Sequence, residues 1–282
     1  MTHHSHSTLD PVAAQRWQQW PATESPWLHE EVARRMQERL DWITLQPQTW
    51  LHWSPLTGGI KAHELLAKRY PNATCTIFET SERRADQVRQ ALTPACCHPC
   101  SQNVITKVTN QVQMLWANMS LHFAANPQHL LAQWHQALDV DGFLMFSCLG
   151  PDTLKELRTL YRQSGWPPPA HELTDMHDWG DRLLDAGFAE PVMDMEQITL
   201  SFNTPERLLQ ELRSLGRNIH CDRFSALRGK RWHKQWLQAV SQMPLQLDFE
   251  VVYGHAFKPA TRQVVGLHEI SLDTMRSMLT SG

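Results

Sequence analysis

The chain has 282 residues, of which 41% are hydrophobic and 20% are charged, and its formal net charge is -3. This charge argues against wholesale nucleic-acid binding, which needs a concentrated positive field. Because no apolar run of about 18 residues is present, no membrane span is expected. The start of the chain, MTHHSHSTLDP, has no apolar region of the kind found in secretory signals, so a cytoplasmic protein is expected.

Strands and helices are predicted to alternate over the first 150 residues. A first helix is predicted in SPWLHEEVARRMQERLDW, with Ser25 as N-cap and Pro26 in the first helical position. The segments that follow are typical of βαβ units around a parallel sheet, whose ligand site lies at the carboxyl ends of the strands. Strands are predicted at 49–53, 73–79, 112–119 and 142–149, and helices at 60–70, 81–92 and 126–138, the last two capped by Ser81 and Asn126.

The pattern weakens between 93 and 111, where NVITKV is a candidate short strand. Farther along, helices are predicted at DTLKELRTLYRQ, around DMHDWGDRLLDAGF and at TPERLLQELRSLG, the last capped by Thr204. A strand is predicted around VMDMEQITLSF, and LQLDFEVVYGHAFKP is predicted to be a final antiparallel strand. The sequence therefore predicts an α/β fold.

Cysteines and glycines limit the kinds of site that this fold can carry. The six cysteines include Cys96, Cys97 and Cys100, whose role is left open. No second cysteine pair has zinc-like spacing, so free thiols are expected and no metal site is assigned. The chain has only 12 glycines, although proteins that bind nucleotides use glycines in the contacting loops.

Four phrases from Trp116 onward carry a family resemblance: WANMSLHF, AQWHQALDVDGFLMFSCLGPDTLKELR, DMHDWGDRLLDAGFAEPVMDMEQITLSF and EVVYGHAFKP. They resemble the methyltransferases that esterify malonyl carrier protein in biotin synthesis. The resemblance implies a class I, Rossmann-like S-adenosylmethionine (SAM) methyltransferase fold, with a mostly parallel seven-stranded sheet and helices on both faces. It also implies a helical lid segment over 1–45, a SAM-binding-type core over 46–150 and a C-terminal part with substrate-side insertions over 151–282.

The bend after the first predicted strand departs from the family pattern. The family has a phrase such as LDxGCGxG there, with an acid near the methionine moiety and glycines that let the backbone approach the cofactor. By this resemblance the acid falls at His52 and the glycines at Ser54, Leu56 and Gly58. Only Gly58 is retained, and Pro55 removes a backbone donor.

The resemblance nevertheless gives four candidate cofactor contacts. Glu79 stands where the family has an acid that accepts both ribose hydroxyls, although a carboxylate there also suits the start of the next helix. Thr57 and Gly58 lie in the bend itself, where glycine also suits a loop that opens a helix. Asn118 lies at the carboxyl end of the strand predicted at 112–119 and is alternatively a loop cap. The family's adenine-binding acid has no counterpart, because residues 97–111 contain no Asp or Glu.

Arg213 and Arg217 match the family's basic segment that faces the substrate, and a guanidinium suits a carboxylate. A helix surface is the alternative for both arginines, and a packed core is the alternative for His122, a further candidate pocket residue. No catalytic residue is assigned, since a carboxylate is already an anion near neutral pH. No tyrosine precedes Tyr70, so the candidate lid aromatics are Trp17, Trp20 and Trp27.

The segment 223–236, RFSALRGKRWHKQW, contains five cations and no acid. It is a candidate docking surface for acyl carrier protein, which is acidic, and a solvated helix is the alternative.

Two functions follow from these observations. In the first, the chain has the methyltransferase fold, binds SAM weakly or not at all, and works by binding, with an active methyltransferase paralogue as one candidate partner. In the alternative, it is an active SAM-dependent O-methyltransferase that acts on a carrier-linked or other carboxylate.

Overall fold

The structure, a computed structural model, describes residues 8–20, 24–92 and 103–260. The strands are β1 (Thr49–Trp53), β2 (Thr74–Phe78), β3 (Asn103–Ile105), β4 (Val112–Ala117), β5 (Leu138–Leu149), β6 (Ala189–Ser201) and β7 (Gln246–Phe257). The helices are α1 (Pro11–Gln19), α2 (Trp27–Arg39), α3 (Pro55–Gly58), α4 (Ile60–Arg69), α5 (Glu82–Leu92), α6 (Pro127–Ala137), α7 (Lys155–Gln163), α8 (Met176–Asp185), α9 (Pro205–Leu215) and α10 (Lys230–Val240).

The strands form one seven-stranded sheet in the order β3-β2-β1-β4-β5-β7-β6. The pairs from β3 to β5 are parallel, whereas β7 lies between β5 and β6 and is antiparallel to both. This arrangement confirms the predicted mostly parallel sheet with a reversed last strand. The short strand predicted in NVITKV is β3.

Both faces of the central strands β1, β4 and β5 are largely buried, whereas most residues of the edge strand β6 are exposed or half-buried. Successive side chains of a strand point to opposite faces, so Trp50 of β1 packs into one core and Leu51 into the other. The first core is shared with α2, α4 and α5, and the second with α6 and α8. Helices therefore cover both faces, as predicted, and the sheet edge where β1, β2 and β4 end is left for a ligand.

Helix caps were predicted correctly at three positions. Ser81 Oγ accepts the amide of Arg84 at the start of α5, at 3.4 Å. Asn126 Oδ1 accepts the amide of His129 at the start of α6, and Thr204 Oγ1 accepts the amide of Arg207 at the start of α9, at 3.0 and 3.2 Å. These bonds satisfy amides that have no partner inside the helix.

The predicted start of the first long helix was wrong. Helix α2 begins at Trp27 with Pro26 as its N-cap, because Pro26 is extended (ψ 141°) rather than helical. The hydroxyl of Ser25 donates to the carboxylate of Glu30 and accepts no amide of α2. Helix α1, capped by Asp10, lies in the segment 1–45 for which the resemblance implies helical structure, but no separate helix was predicted at its position. Within the described residues, no helix has the length and apolar character that a membrane span needs.

Candidate functional site

A cavity of about 510 Å³ lies at the carboxyl ends of β1, β2 and β4. This volume is within the roughly 300–1,000 Å³ range of small-molecule sites. The strand ends contribute Trp53, Ser54, Phe78, Thr80, Met119 and Ser120 to its wall, and α1, α2, α3, α5 and α9 contribute Trp17, His29, Thr57, Arg84, Ser214 and Leu215.

The bend after β1 turns sharply at Ser54, which adopts a left-handed conformation with φ 51° and ψ 56°. A non-glycine residue rarely adopts this conformation. The next four residues form the short helix α3, in which the Leu56 side chain is buried in the core. The bend is therefore a compact helical turn that is held against the core by the Leu56 side chain.

Every backbone N–H group from Ser54 to Ile60 has an acceptor within the protein. Ser54 donates to Phe78 O at 2.8 Å and Leu56 donates to Glu79 Oε1 at 3.0 Å, while Pro55 has no N–H. The amides of Thr57 and Gly58 donate to Ser54 O, that of Gly59 donates to Pro55 O, and that of Ile60 donates to Ser25 Oγ at 3.5 Å. The bend offers no free amide to a ligand.

Glu79 is completely buried and is not part of the cavity wall. Its Oε1 accepts the Leu56 amide, and its Oε2 has no hydrogen-bond partner among the described residues. Burial raises the pKa of this carboxyl to about 6, against the opposing effects of Arg84 and the Leu56 amide. The predicted contact between Glu79 and a cofactor stays a prediction, and in this structure the carboxylate faces protein.

Gly58 and Asn118 lie against each other. A Cβ on Gly58 would be 2.7 Å from the Asn118 carbonyl oxygen, so close backbone approach requires glycine here. The Asn118 side chain donates to the carbonyls of Gly58 and His29 and accepts from Ser147 Oγ at 2.6 Å. This amide joins α2, α3 and β5, and neither Gly58 nor Asn118 lies in the cavity wall.

His52, at the family's acid position, points into the core. It stacks on His63, with 3.4 Å between their Nδ1 atoms and an angle of 13° between the rings. Burial lowers the pKa of His52 well below its ordinary value, with the neighbouring His63 adding to the effect, and burial lowers the pKa of His63 to about 4. Both rings are neutral near pH 7.

The substrate-side candidates occupy two different environments. His122 is buried, and its Nδ1 accepts the Leu149 amide at 3.3 Å. Burial, with smaller contributions from His29 and His171, lowers the pKa of His122 well below its ordinary value. Arg213 and Arg217 are exposed near the end of α9.

Their neighbours place these arginines near the cavity mouth. The guanidinium of Arg217 lies 5.6 Å from the ring centre of Trp17 and donates to Arg213 O at 2.7 Å. Trp17, Ser214 and Leu215 all line the cavity, whereas neither arginine does. Of the other candidate lid aromatics, Trp20 and Trp27 are exposed and lie outside the wall.

Thr57 lines the cavity, and so does His29, which the sequence analysis did not single out. Nδ1 of His29 is 2.7 Å from Thr57 O. The sequence signal was a histidine in the first turn of a helix that begins with an apolar pair, but that pattern does not show which way the ring points.

The basic segment 223–236 is irregular up to Gly229 and helical from Lys230, the first residue of α10. Arg223 is paired with Asp10 at 2.7 Å. Within the described residues the other cations form no ion pair, and Lys230, Arg231 and Lys234 are exposed. Phe224 and Leu227 are exposed beside them.

Cys96, Cys97 and Cys100 lie outside the described residues. Among the described cysteines, Cys75 and Cys148 are buried thiols. His220, Cys221 and Asp222 have candidate ligand atoms within 4.8 Å of one another, but Nδ1 of His220 already accepts the Asp222 amide at 2.9 Å.

Comparison with known proteins identifies relatives along most of the chain. No family model matches it. A malonyl-acyl-carrier-protein O-methyltransferase of Gallionella capsiferriformans is 35% identical over 249 residues, which are 83% of this chain and 85% of that relative. A protein of the same name from Laribacter hongkongensis is 35% identical over 253 residues, covering 83% and 84% of the two chains.

Solved structures show the same fold at low sequence identity. A candidate methyltransferase from Bacillus halodurans C-125 superposes with a TM-score of 0.57 at 12% identity, over 82% of this chain and 100% of that one. The YcgJ protein of Bacillus subtilis gives a TM-score of 0.55 at 9% identity, over 82% and 99%. The sheet order and these likenesses establish the class I methyltransferase fold, and the curated relatives show that the chain belongs to the malonyl-acyl-carrier-protein O-methyltransferase family.

Proposed function

We propose that this chain is a methyltransferase-fold protein that binds SAM weakly or not at all and acts by binding. The hydrogen bond from the Leu56 amide to Glu79 Oε1 carries the proposal. By resemblance, the bend and the acid after β2 are the two elements that would hold the cofactor's methionine and ribose parts. Here they bind each other, so the residues present do not fit SAM held in the family's manner.

The missing cofactor contacts are numerous enough to weaken SAM binding strongly. A buried polar group left without its partner costs about 1–3 kcal/mol, and about 1.4 kcal/mol changes an affinity tenfold. The bend has no free amide, Glu79 is outside the wall, and His52 replaces the acid. These changes together favour a loss of SAM affinity of several powers of ten, although such contributions do not add strictly.

Calorimetric titration with SAM and with S-adenosylhomocysteine tests the proposal. We expect no saturable heat at low-micromolar concentrations of either compound. The Gallionella capsiferriformans relative, titrated in the same buffer, is the positive control for the two ligands. Low-micromolar binding by this chain would refute the proposal.

The cavity supports a second candidate, an active SAM-dependent O-methyltransferase acting on a carrier-linked or other carboxylate. Its position at the carboxyl ends of β1, β2 and β4 is where open α/β sheets bind ligands. This candidate requires the low-micromolar SAM binding described above, together with transfer of label from methyl-labelled SAM to a malonyl carrier protein. If label transfer fails while SAM binds, both candidates are wrong as stated.

We further propose that the basic segment 223–236 binds an acyl carrier protein in either case. Its exposed cations have no acidic partner among the described residues, and the exposed Phe224 and Leu227 add apolar contact area. An acidic carrier would complement this charge.

Charge reversal tests the docking surface. The triple variant Lys230→Glu, Arg231→Glu, Lys234→Glu leaves Arg228, which packs 4.0 Å from the Trp232 ring centre, in place. We expect it to abolish capture of acyl carrier protein. The matched control reverses three exposed cations on α4 and α5, with Lys61→Glu, Lys68→Glu and Arg83→Glu, and should bind normally. Equal capture by both variants would reject this surface.

A further inference from the structure

His29 is a polar group at the cavity wall that neither the family resemblance nor the proposed function uses. It lies in the first turn of α2 and is 2% exposed. Its carbonyl accepts the Asn118 side chain at 2.8 Å, and its Nδ1 is 2.7 Å from Thr57 O. Among the described residues, no hydrogen bond reaches its Nε2.

The Thr57 contact fixes the protonation of the ring. A carbonyl oxygen can only accept a hydrogen bond, so Nδ1 carries the proton and donates it. Burial lowers the pKa of His29 to about 4, and the ring is neutral near pH 7. Its Nε2 is then a lone-pair acceptor, held in place by the bonds on the other side of the residue.

The wall around His29 is mainly apolar and aromatic. Trp53 and Phe78 stack with 3.9 Å between ring centres and 24° between planes. Trp17 and Phe123 close another part of the wall, 6.4 Å apart. The two charged residues in the described wall are Glu24 and Arg84, and Arg84 faces Glu79 and donates to Trp20 O. A planar, uncharged ligand suits these surroundings.

We propose that the cavity binds planar aromatic compounds that carry an N–H or O–H group, and that His29 Nε2 accepts the hydrogen bond from that group. The inference deepens the proposed binding function by naming a ligand class for the same cavity. It does not depend on the loss of SAM binding, and the two ideas fail in different measurements.

Indole and 1-methylindole are suitable probes, because they differ in a single N–H donor. Their dissociation constants are measured by calorimetry with the full chain. We expect indole to bind about tenfold more tightly, the factor that corresponds to one buried hydrogen bond of about 1.4 kcal/mol. Equal affinity for the two probes, or no saturable binding of either, would overturn the proposal.

Two variants separate the hydrogen bond from the integrity of the bend. His29→Asn keeps a short amide donor for Thr57 O but removes the acceptor at the Nε2 position, and it should lose the preference for indole. His29→Gln reaches farther and should restore part of it. His177→Asn, at an exposed position on α8 outside the cavity wall, is the matched control and should keep the full preference. A preference that survives in folded His29→Asn would exclude His29 as the acceptor.

Discussion

The amide of Leu56 and the carboxylate of Glu79 bind each other at 3.0 Å, across the ends of two adjacent strands. The contact closes the bend after β1 onto β2 and keeps Glu79 away from solvent. It joins the two sequence positions that family resemblance assigns to cofactor binding. The contribution of the Glu79 carboxyl to the free energy of unfolding depends on pH.

We predict that Glu79→Gln stabilises the protein more at neutral than at acidic pH. The folded pKa is raised from 4.5 to about 6, so the favourable contribution of Glu79 is complete below about pH 4.5 and is lost as pH rises through about 6. Glutamine keeps an acceptor for Leu56 and has no charge to bury. The difference in unfolding free energy between variant and wild type should grow by about 2 kcal/mol from about pH 4 to about pH 7.5. Urea unfolding at both pH values measures it, and a pH-independent difference would contradict the buried carboxylate.

We predict the opposite pH dependence for the buried histidine pair, His52 of β1 and His63 of α4. Burial lowers the pKa of His63 from 6.5 to about 4, so its contribution is present above about pH 6.5 and is lost as pH falls toward 4. Lowering the pH from about 7.5 to about 5 should therefore reduce the free energy of unfolding by about 2 kcal/mol less in His63→Leu than in the wild type. The test compares how the free energy of unfolding changes with pH in each protein, so a constant packing cost of leucine does not affect the result. Identical slopes would argue against burial of a neutral ring.

Gly58→Ala should destabilise the protein by roughly 2 kcal/mol, because the new Cβ would be 2.7 Å from Asn118 O. The control is Gly180→Ala in the middle of α8, where the nearest contact is 3.8 Å away, at Met193 Cγ. There, alanine should stabilise by about 0.5–1 kcal/mol through helix propensity. Thermal and denaturant unfolding of both variants provide the comparison. If both changes were neutral, the close approach at Asn118 would be wrong.

Arg39 should contribute more to stability than Arg34, although both lie on α2. The Arg39 guanidinium donates to Asp194 on β6 at 2.6 and 3.0 Å and lies 3.7 Å from the ring centre of Tyr253. Arg34 pairs with glutamates of its own helix at an exposed position. We expect Arg39→Ala to cost roughly 1–2 kcal/mol and Arg34→Ala about 0.5 kcal/mol or less. If the two variants lose the same amount of unfolding free energy, the contact between α2 and the edge strand β6 contributes little to stability.

Most of the fold could be predicted from local pattern. Buried strands such as TWLHW are short and apolar, and caps such as Asn126 and Thr204 act through side chains a few residues from the amides that they satisfy. The start of α2 was missed because Ser25 has a second partner in Glu30, and a proline can stand outside a helix as well as inside it.

The site was less predictable, because its main contacts join distant parts of the chain. Sequence analysis located the unusual bend correctly, but it could not show that Leu56 donates to Glu79, 23 positions away. Nor could it show that Asn118 contacts Gly58, or that the ring of His29 lies at the cavity wall. Motif spacing locates candidate residues, whereas packing decides which of them face a ligand.

The side chain of Asn118 connects α2, α3 and β5 through one amide group. Moving α2 outward would break its bond to the His29 carbonyl and disturb the bond that the same side chain donates to the Gly58 carbonyl. Helices α2 and α3, which carry His29 and Thr57 of the cavity wall, are therefore held to each other through a residue that is not itself in the wall.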